Sequence, residues 1–496
     1  MKTTSLLKLA VATLLLAGTA SCEDTALTPS DGDSAGQGDD PGKNPDDGNG
    51  DGQDGDEDGD DNGEENPGGG EEQPSEDLVI SSAAELEALG DIPAGSTVVW
   101  KDGVYEDAAL VLGWTGTEEN PIVFRAETPG GVTFTGASSL TVSGSRIEIS
   151  GFRWRDPEPA GEHLIRFRSG SSHCVLEDCE VDGSGSEPRG EGSSFKWVSL
   201  YGTGHTVTRC AFNDKKDMGA LLVVWLEDGV QAGHVISHNS FSRPETILDS
   251  EGEPANEQEV MRIGDSSNSM QDAGCIIENN YFHSCNGEKA EIVSNKSCGN
   301  VYRGNAFFES CGTLTLRHGN NCTVSGNFFY GSDLSDTGGV RIIGEGHTVE
   351  NNVFERLNSV GYKAALCICA GQENPELSGY WQVKNATVRA NVFIDCNLAM
   401  HINYGSSSMV LPVLSTVIED NVAVTPEGPD GSLYVVRYEN TDPQAEITWS
   451  GNTFYGRFRN NYFGLTSVKT RPEVSSCLGQ IEDVASAAGP SWDAGQ

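Results

Sequence analysis

A short motif recurs along the chain at nearly constant intervals, and this repetition limits the fold more than any other feature of the sequence. An apolar pair is followed by two polar residues, an asparagine, any residue and usually phenylalanine: Ile276 to Phe282, Val301 to Phe307, Cys322 to Phe329, Val349 to Phe354, Val388 to Phe393 and Ile447 to Phe454. Looser copies stand at Val175 to Val181, Val207 to Phe212 and Val235 to Phe241. Asn280, Asn305, Asn327 and Asn352 follow one another at 25, 22 and 25 residues. Short β-branched strands between Gly, Asn and Ser turns, without amphipathic helices between them, cannot form a βαβ sheet. Coils of this length stack instead as an all-β, right-handed parallel β-helix in which each coil buries its inward row against its neighbours. One asparagine per coil would then hydrogen-bond to those above and below, and the phenylalanines would stack inside. A leucine-rich repeat would need a leucine scaffold that these repeats lack. Ser82 to Gly90 reads as a short helix with a serine N-cap and a glycine stop. It is expected to cap the open N-terminal end of the stack, where bare strand edges would recruit other chains.

This solenoid is expected over residues 78–490, preceded by two segments of different character. Lys2 and Lys8 lie around an apolar run from Leu6 to Ala17, which reads as an export signal over residues 1–22. The run is too short to span a bilayer. Cys22 follows Thr19-Ala20-Ser21, which resembles a bacterial lipoprotein signal whose cysteine is lipidated after cleavage. The acidic Glu23-Asp24 resembles the start of surface-exported lipoproteins, so an outer-membrane or cell-surface anchor is expected, with the periplasm as the alternative.

Residues 23–77 are Asp, Glu, Gly, Pro, Asn and Ser with almost no aliphatic side chain, so this stretch cannot bury enough apolar surface to fold and is expected to be a disordered tether. It holds 21 of the 75 acidic residues; beyond it stand 28 basic against 54 acidic residues, a charge of −26 instead of the whole chain's −44. That balance argues against nucleic acid, whose phosphates are met by a basic footprint. A polyanionic substrate would need positive charge concentrated in a groove. Of 13 cysteines, twelve follow Cys22, and their spacings form no zinc-type pairs; Cys367 and Cys369 would share one face of a strand. Most read as small buried hydrophobes. A monomer is expected.

One region concentrates chemistry: Asn286 to Ser297, containing Glu288, Lys289, Glu291 and Lys296, followed a coil later by Leu316-Arg317-His318-Gly319. Lys296 and Arg317 are 21 residues apart, close to one coil, so their side chains are expected nearly above one another on an outer face. Arg341 follows after a further 24 residues.

The pieces Glu291 to Ser297, Leu316 to Gly319 and Met261-Arg262-Ile263-Gly264 resemble polysaccharide lyase family 6, the alginate lyases and chondroitinase B. The resemblance runs from about Leu78 to about Gly456 and includes Trp100 to Tyr105. It implies cleavage of a uronate polymer by β-elimination: loss of the C5 proton, with the neighbouring carboxylate neutralised by a cation so that the enolate-like transition state is stabilised. By the resemblance Lys296 is the base. Arg317 stabilises the charge developing on the glycosidic oxygen, since arginine holds its proton too firmly to donate it. Arg341 is a substrate-carboxylate clamp and His318 lies beside the catalytic arginine. The family's Ca²⁺ is held by one Asn and two Glu, here Asn256, Glu288 and Glu291, oxygen ligands that suit a hard ion. The family separates its two glutamates by one residue, whereas Lys289 and Ala290 both stand between Glu288 and Glu291. An odd separation on a strand points the carboxylates to opposite faces unless a bulge intervenes. Either a bulge restores the pair, or the Lys289 ammonium takes the place of the ion.

The preferred substrate is alginate, on the wording of the Lys296 and Arg317 motifs; dermatan sulfate is the alternative. A pectin-type hydrolase or esterase would need clustered acid and base carboxylates, and no such pair stands out. A glycan-binding β-helix without turnover shares the fold, but an intact base and arginine argue against it.

Overall fold

Each repeat closes one coil of three short strands, and the corner between the first and second strands explains the asparagine. The residue before each ladder asparagine takes a left-handed conformation: His238, Asn279, Gly304, Gly326, Asn351, Ala390, Asp420 and Gly451, at φ of 52–64°. Gly, Asn and Asp tolerate this region, which is why they punctuate the repeat. The bend turns the next side chain inward. There Asn239, Asn280, Asn305, Asn327, Asn352, Asn391, Asn421 and Asn452 pass Nδ2–H···Oδ1 bonds of 2.9–3.0 Å from coil to coil. Two residues beyond, the rings from Phe212 to Phe393 stack at 4.5–5.2 Å. The ladder is longer at both ends than the 25-residue spacing reveals, because wider coils interrupt the count without interrupting the stack.

The computed structural model describes residues 77–439 and 444–492. The strands assemble into one 14-stranded and two 13-stranded parallel sheets, a parallel β-helix with a single continuous apolar core running along its axis. We call the sheets first, second and third in the order in which a coil visits them; they begin at Leu78–Ile80, Gly103–Glu106 and Ala109–Leu112. A helix at Ala83–Ala88 caps the N-terminal end: the Ser82 hydroxyl accepts the Glu85 amide at 3.2 Å, and Leu86 is buried. The expected signal segment, Cys22 and the acidic tether up to residue 76 lie outside the described residues. All twelve described cysteines are free, ten of them buried. No helix of the described residues is long and apolar enough to cross a membrane.

A second helix, Leu478–Ala487, carries no signal in the repeat pattern. It buries Ile481 beside Cys477, Ala306 and Tyr330 on the outside of the second sheet. The chain then runs back toward the early coils, where the Trp492 indole donates to the Asp178 carbonyl at 2.9 Å.

Asn327 accepts from Asn305 and donates to Asn352 and to the Tyr302 carbonyl, all within 3.0 Å and without solvent. Asn327→Ala leaves several of these buried groups unpaired and is expected to cost about 3 kcal/mol, read as a lower urea midpoint with an unchanged far-UV spectrum.

Candidate functional site

The inward row of the third sheet, Phe167, Leu200, Val224, Ile263, Leu316 and Ile342 among others, is packed into the core. The alternation of a strand therefore turns its neighbours outward. One outward row runs Arg166, Ser199, Val223, Arg262, Ser294, Thr315 and Arg341 in register. The other passes Tyr201, Trp225, Gly264 and Lys296, each one residue beyond the inward row. Gly264 is at φ +92°, and a Cβ there would collide with the Lys296 carbonyl. The backbone of the lysine strand thus passes close beneath a position without a side chain.

Two bulges shape the centre. In the ladder between Glu291–Lys296 and Gly312–His318, Glu291 pairs with Thr313 but Val293 with Leu314, leaving Ile292 as the extra residue. Further on, Asn295 pairs with Leu316 but Lys296 with His318, leaving Arg317 as the extra residue. Lys296 and Arg317 therefore stand on adjacent strands as expected, but the register slips by one and His318, not Arg317, lies opposite the lysine. Bulges re-aim side chains in this way.

Arg317 leans away from the sheet. Its guanidinium donates to the carbonyls of Ser378 at 3.0 Å and Gly379 at 3.3 Å and lies 4.4 Å over the Tyr380 ring. The same ring lies 5.5 Å from the guanidinium of Arg341, which sits 5.0 Å over Tyr362 on its other flank. Tyr362 comes from the loop entering the third sheet and Tyr380 from the loop leaving it, so two loops grip one arginine. Neither tyrosine was indicated by a motif. The one signal for Tyr380 is the 39-residue step from Asn352 to Asn391, which shows a coil widened by an inserted loop. Cys367 and Cys369 do share a face, with sulfurs 3.9 Å apart. The Cys367 thiol, followed by the nearby Arg341, lowers the Cys369 thiol below its ordinary range against the opposing effect of burial.

His318 is 2% exposed, and its Nδ1 lies 3.4 Å from Arg317 Nη1. It therefore touches the arginine rather than open solvent. Burial, reinforced by Arg317 and Lys296, holds its imidazole down at about 2.

Glu259 and Glu288 come from the loops that enter the sheet, and Glu291 opens the strand itself. Burial drives the Glu288 carboxyl well above the ordinary range, Glu259 and Glu291 push it further, and Lys296 and the Gln258 amide oppose them. Glu288 and Glu291 thus act on one another despite their odd separation; Glu288 lies in the turn before the strand, and the Ile292 bulge follows Glu291. Glu259, absent from the expected set, is buried and 3.7 Å from Arg262. Asn256 is exposed on the preceding loop. Lys289 holds a left-handed φ of 58°, and its charge is felt at Cys311. Among the described residues no three His, Cys, Asp or Glu side chains are placed to hold a metal ion. The expected calcium set counts one asparagine and two carboxylates, and Glu288 and Glu291 lie close enough to act on one another, hard oxygen donors that would suit the ion.

Several histidines share the fate of His318. Burial lowers His205 and His347 to about 4 and His234 to about 3. The folded state keeps them neutral, whereas the unfolded chain takes up their protons near 6.5. Their contribution to stability is therefore complete above 6.5 and lost as pH falls from there toward 4. The imidazole resonances of His318 are expected to show no titration in NMR spectra between pH 8 and 4, and His234→Asn is expected to flatten the fall of melting temperature over the same range.

Comparison with known proteins places this geometry. The profile of the chondroitinase B family matches residues 79–424. A mannuronic acid specific polysaccharide family 6 lyase from human gut microbiota superposes with a TM-score of 0.67 at 25% identity, covering 84% of this chain and 96% of that one. The family 6 alginate lyase AlyGC superposes at 0.73 and 28% identity over 84% of this chain and 56% of its own. A family 6 alginate lyase solved with a trisaccharide gives 0.71 at 22% identity, over 84% and 95%. No curated protein sequence matches. With the family profile spanning most of the solenoid and the lysine and arginine strands inside the matched span, the chain belongs to the chondroitinase B family and is a polysaccharide lyase of family 6.

Proposed function

We propose that this lyase cleaves alginate by β-elimination at a centre made of Lys296 and Arg317. The observation that carries the reading is their placement on adjacent strands of one outward face, with the guanidinium held by the Ser378 and Gly379 carbonyls. Lys296, as the neutral amine, takes the C5 proton of the uronate. The electron pair left behind forms the C4–C5 double bond, the C4–O bond breaks, and the departing oxygen is stabilised by the N–H groups of Arg317 before water protonates it. Stabilising charge as it develops is the larger part of such catalysis. The choice of alginate is supported by the substrates named for the two structures of 25% and 28% identity; dermatan sulfate is the competing polymer.

The uronate carboxylate must be neutralised before its C5 proton becomes acidic. We assign this to Arg341 and Arg317, with Lys289 at the rim. The assignment is supported by the way the two guanidinium groups converge on Tyr380, 4.4 and 5.5 Å from its ring. Bound calcium would supply the same positive charge, with Glu288 and Glu291 as the residues to hold it. Wild type is expected to raise absorbance near 235 nm on alginate and not on dermatan sulfate, and to keep doing so in chelator. Lys296→Ala and Arg317→Ala are expected to lose at least 10³-fold in turnover, the scale of a missing base or oxyanion donor. A rise on dermatan sulfate alone would reverse the choice of polymer; loss in chelator, restored by calcium, would overturn the arginine assignment.

The expected lipoprotein signal belongs to the same proposal. An acidic tether of some fifty residues after Cys22 would hold the solenoid clear of an outer-membrane surface, where a polymer too large to be imported is met. Fatty-acid labelling of the expressed chain is expected to disappear in Cys22→Ala; persistence of the label would remove the anchor.

A further inference from the structure

On the far side of Gly264 from Lys296, the outward face carries a stack that the elimination step does not use. Tyr201 and Trp225, from successive coils, lie ring on ring at 5.6 Å with 9° between their planes. The Arg166 guanidinium, from the preceding strand, lies 5.0 Å over Tyr201, and that of Arg262, from the following strand, 5.0 Å over Trp225. The order along the axis is therefore Arg166, Tyr201, Trp225, Arg262 and then Lys296.

Such a stack costs binding entropy in advance. An exposed arginine is a flexible chain that must be ordered each time it grips a ligand; one laid on a tyrosine is already ordered, and its planar fork remains free at the edge. Nε of Arg166, Nε of Arg262 and Nε1 of Trp225 are buried without a hydrogen-bond partner. Arg262 has Glu259 at 3.7 Å, whereas Arg166 has no ion pair among the described residues. Glu162 and Asp265 are close enough to act on the Tyr201 hydroxyl, so the patch is bounded by negative charge, and the neighbouring His163, pushed down to about 4 by burial and then by Arg166 and Lys196, is neutral. An arginine with an orphaned donor on the substrate face of a protein with a large negative charge is matched by a planar anion.

We propose that Arg166, set by Tyr201 and Trp225, is a distal subsite that binds a carboxylate of the uronate chain. This rests on the proposed uronate substrate. Arg166 is four strands from Lys296, about 19 Å at the spacing of neighbouring strands, so an oligosaccharide that fills only the cleavage centre does not reach it. The enzyme would then hold long chains more firmly than short ones.

The test is calorimetric binding of mannuronate oligosaccharides to the inactive Lys296→Ala protein, with Arg166 intact or replaced. Arg166→Gln is expected to weaken the octasaccharide about tenfold and the trisaccharide less than twofold. Arg166→Lys, which keeps the charge but not the planar fork, is expected to recover only part of the loss, and Tyr201→Ala, which removes the ring under the guanidinium, to weaken the octasaccharide more than the trisaccharide. In the active enzyme, Arg166→Gln is expected to raise KM for the octasaccharide with kcat held. Equal octasaccharide affinity with and without Arg166, or equal losses for both lengths, overturns the subsite. If the Lys296→Ala protein binds neither length, the uronate reading itself falls and the subsite with it.

Discussion

Register is the constraint from which the rest of this molecule follows. Arg166, Arg262, Lys296, Arg317 and Arg341 all lie on one sheet, and each is aimed by how its strand neighbours are locked into the core. That locking is reinforced by the asparagine ladder at the opposite corner, where eight side chains fix the height of each coil against the next. A buried amide that loses its place in such a ladder has no water to turn to, so slippage is costly at every coil. The fold can therefore tolerate inserted loops of very different length, because insertion changes the count of residues but not the height of a coil. Two of the local departures from register fall at Ile292 and Arg317, beside the chemistry, where bulges are commonly found.

The sequence made the architecture legible because the architecture is periodic. Asn280 to Asn352 and their phenylalanines announce both the coil and its stacking, and Ser82 with Gly90 announces the cap. Lys296, Arg317 and Arg341 could be read for the same reason: they sit at intervals close to one coil. What escaped was whatever the loops contribute. Glu259, Tyr362 and Tyr380 lie outside the period, and their approach to the site depends on how a loop folds back. The slip that sets His318 opposite Lys296 was also hidden, since one extra residue in a strand leaves no mark in composition. Asn256 was named from the resemblance alone, and it stands on an exposed loop outside the period.

Charge is distributed with the same economy. The chain as a whole is strongly acidic, yet the outward rows of the third sheet collect Arg166, Arg262, Lys296, Arg317 and Arg341. Tyr201, Trp225, Tyr362 and Tyr380 lie under or beside four of these five. Aromatic rings let cations gather with few carboxylate partners that a polyanion would have to displace, the Arg262–Glu259 pair being one. The acidic remainder keeps the surface from binding anions elsewhere, so attraction is confined to one strip.

The returning C-terminal segment changes what kind of object the solenoid is. A stack of coils in which each touches only its neighbours can fray from either end and propagate the loss coil by coil. Here Ser491 and Trp492 hydrogen-bond to Asp178, more than three hundred residues earlier, and the helix before them lies across the coils between. This segment thus ties middle coils to early ones, turning a one-dimensional array into a closed loop of contacts. Contacts of this span link the opening of one coil to that of others far from it in the stack, which nearest-neighbour packing alone does not do.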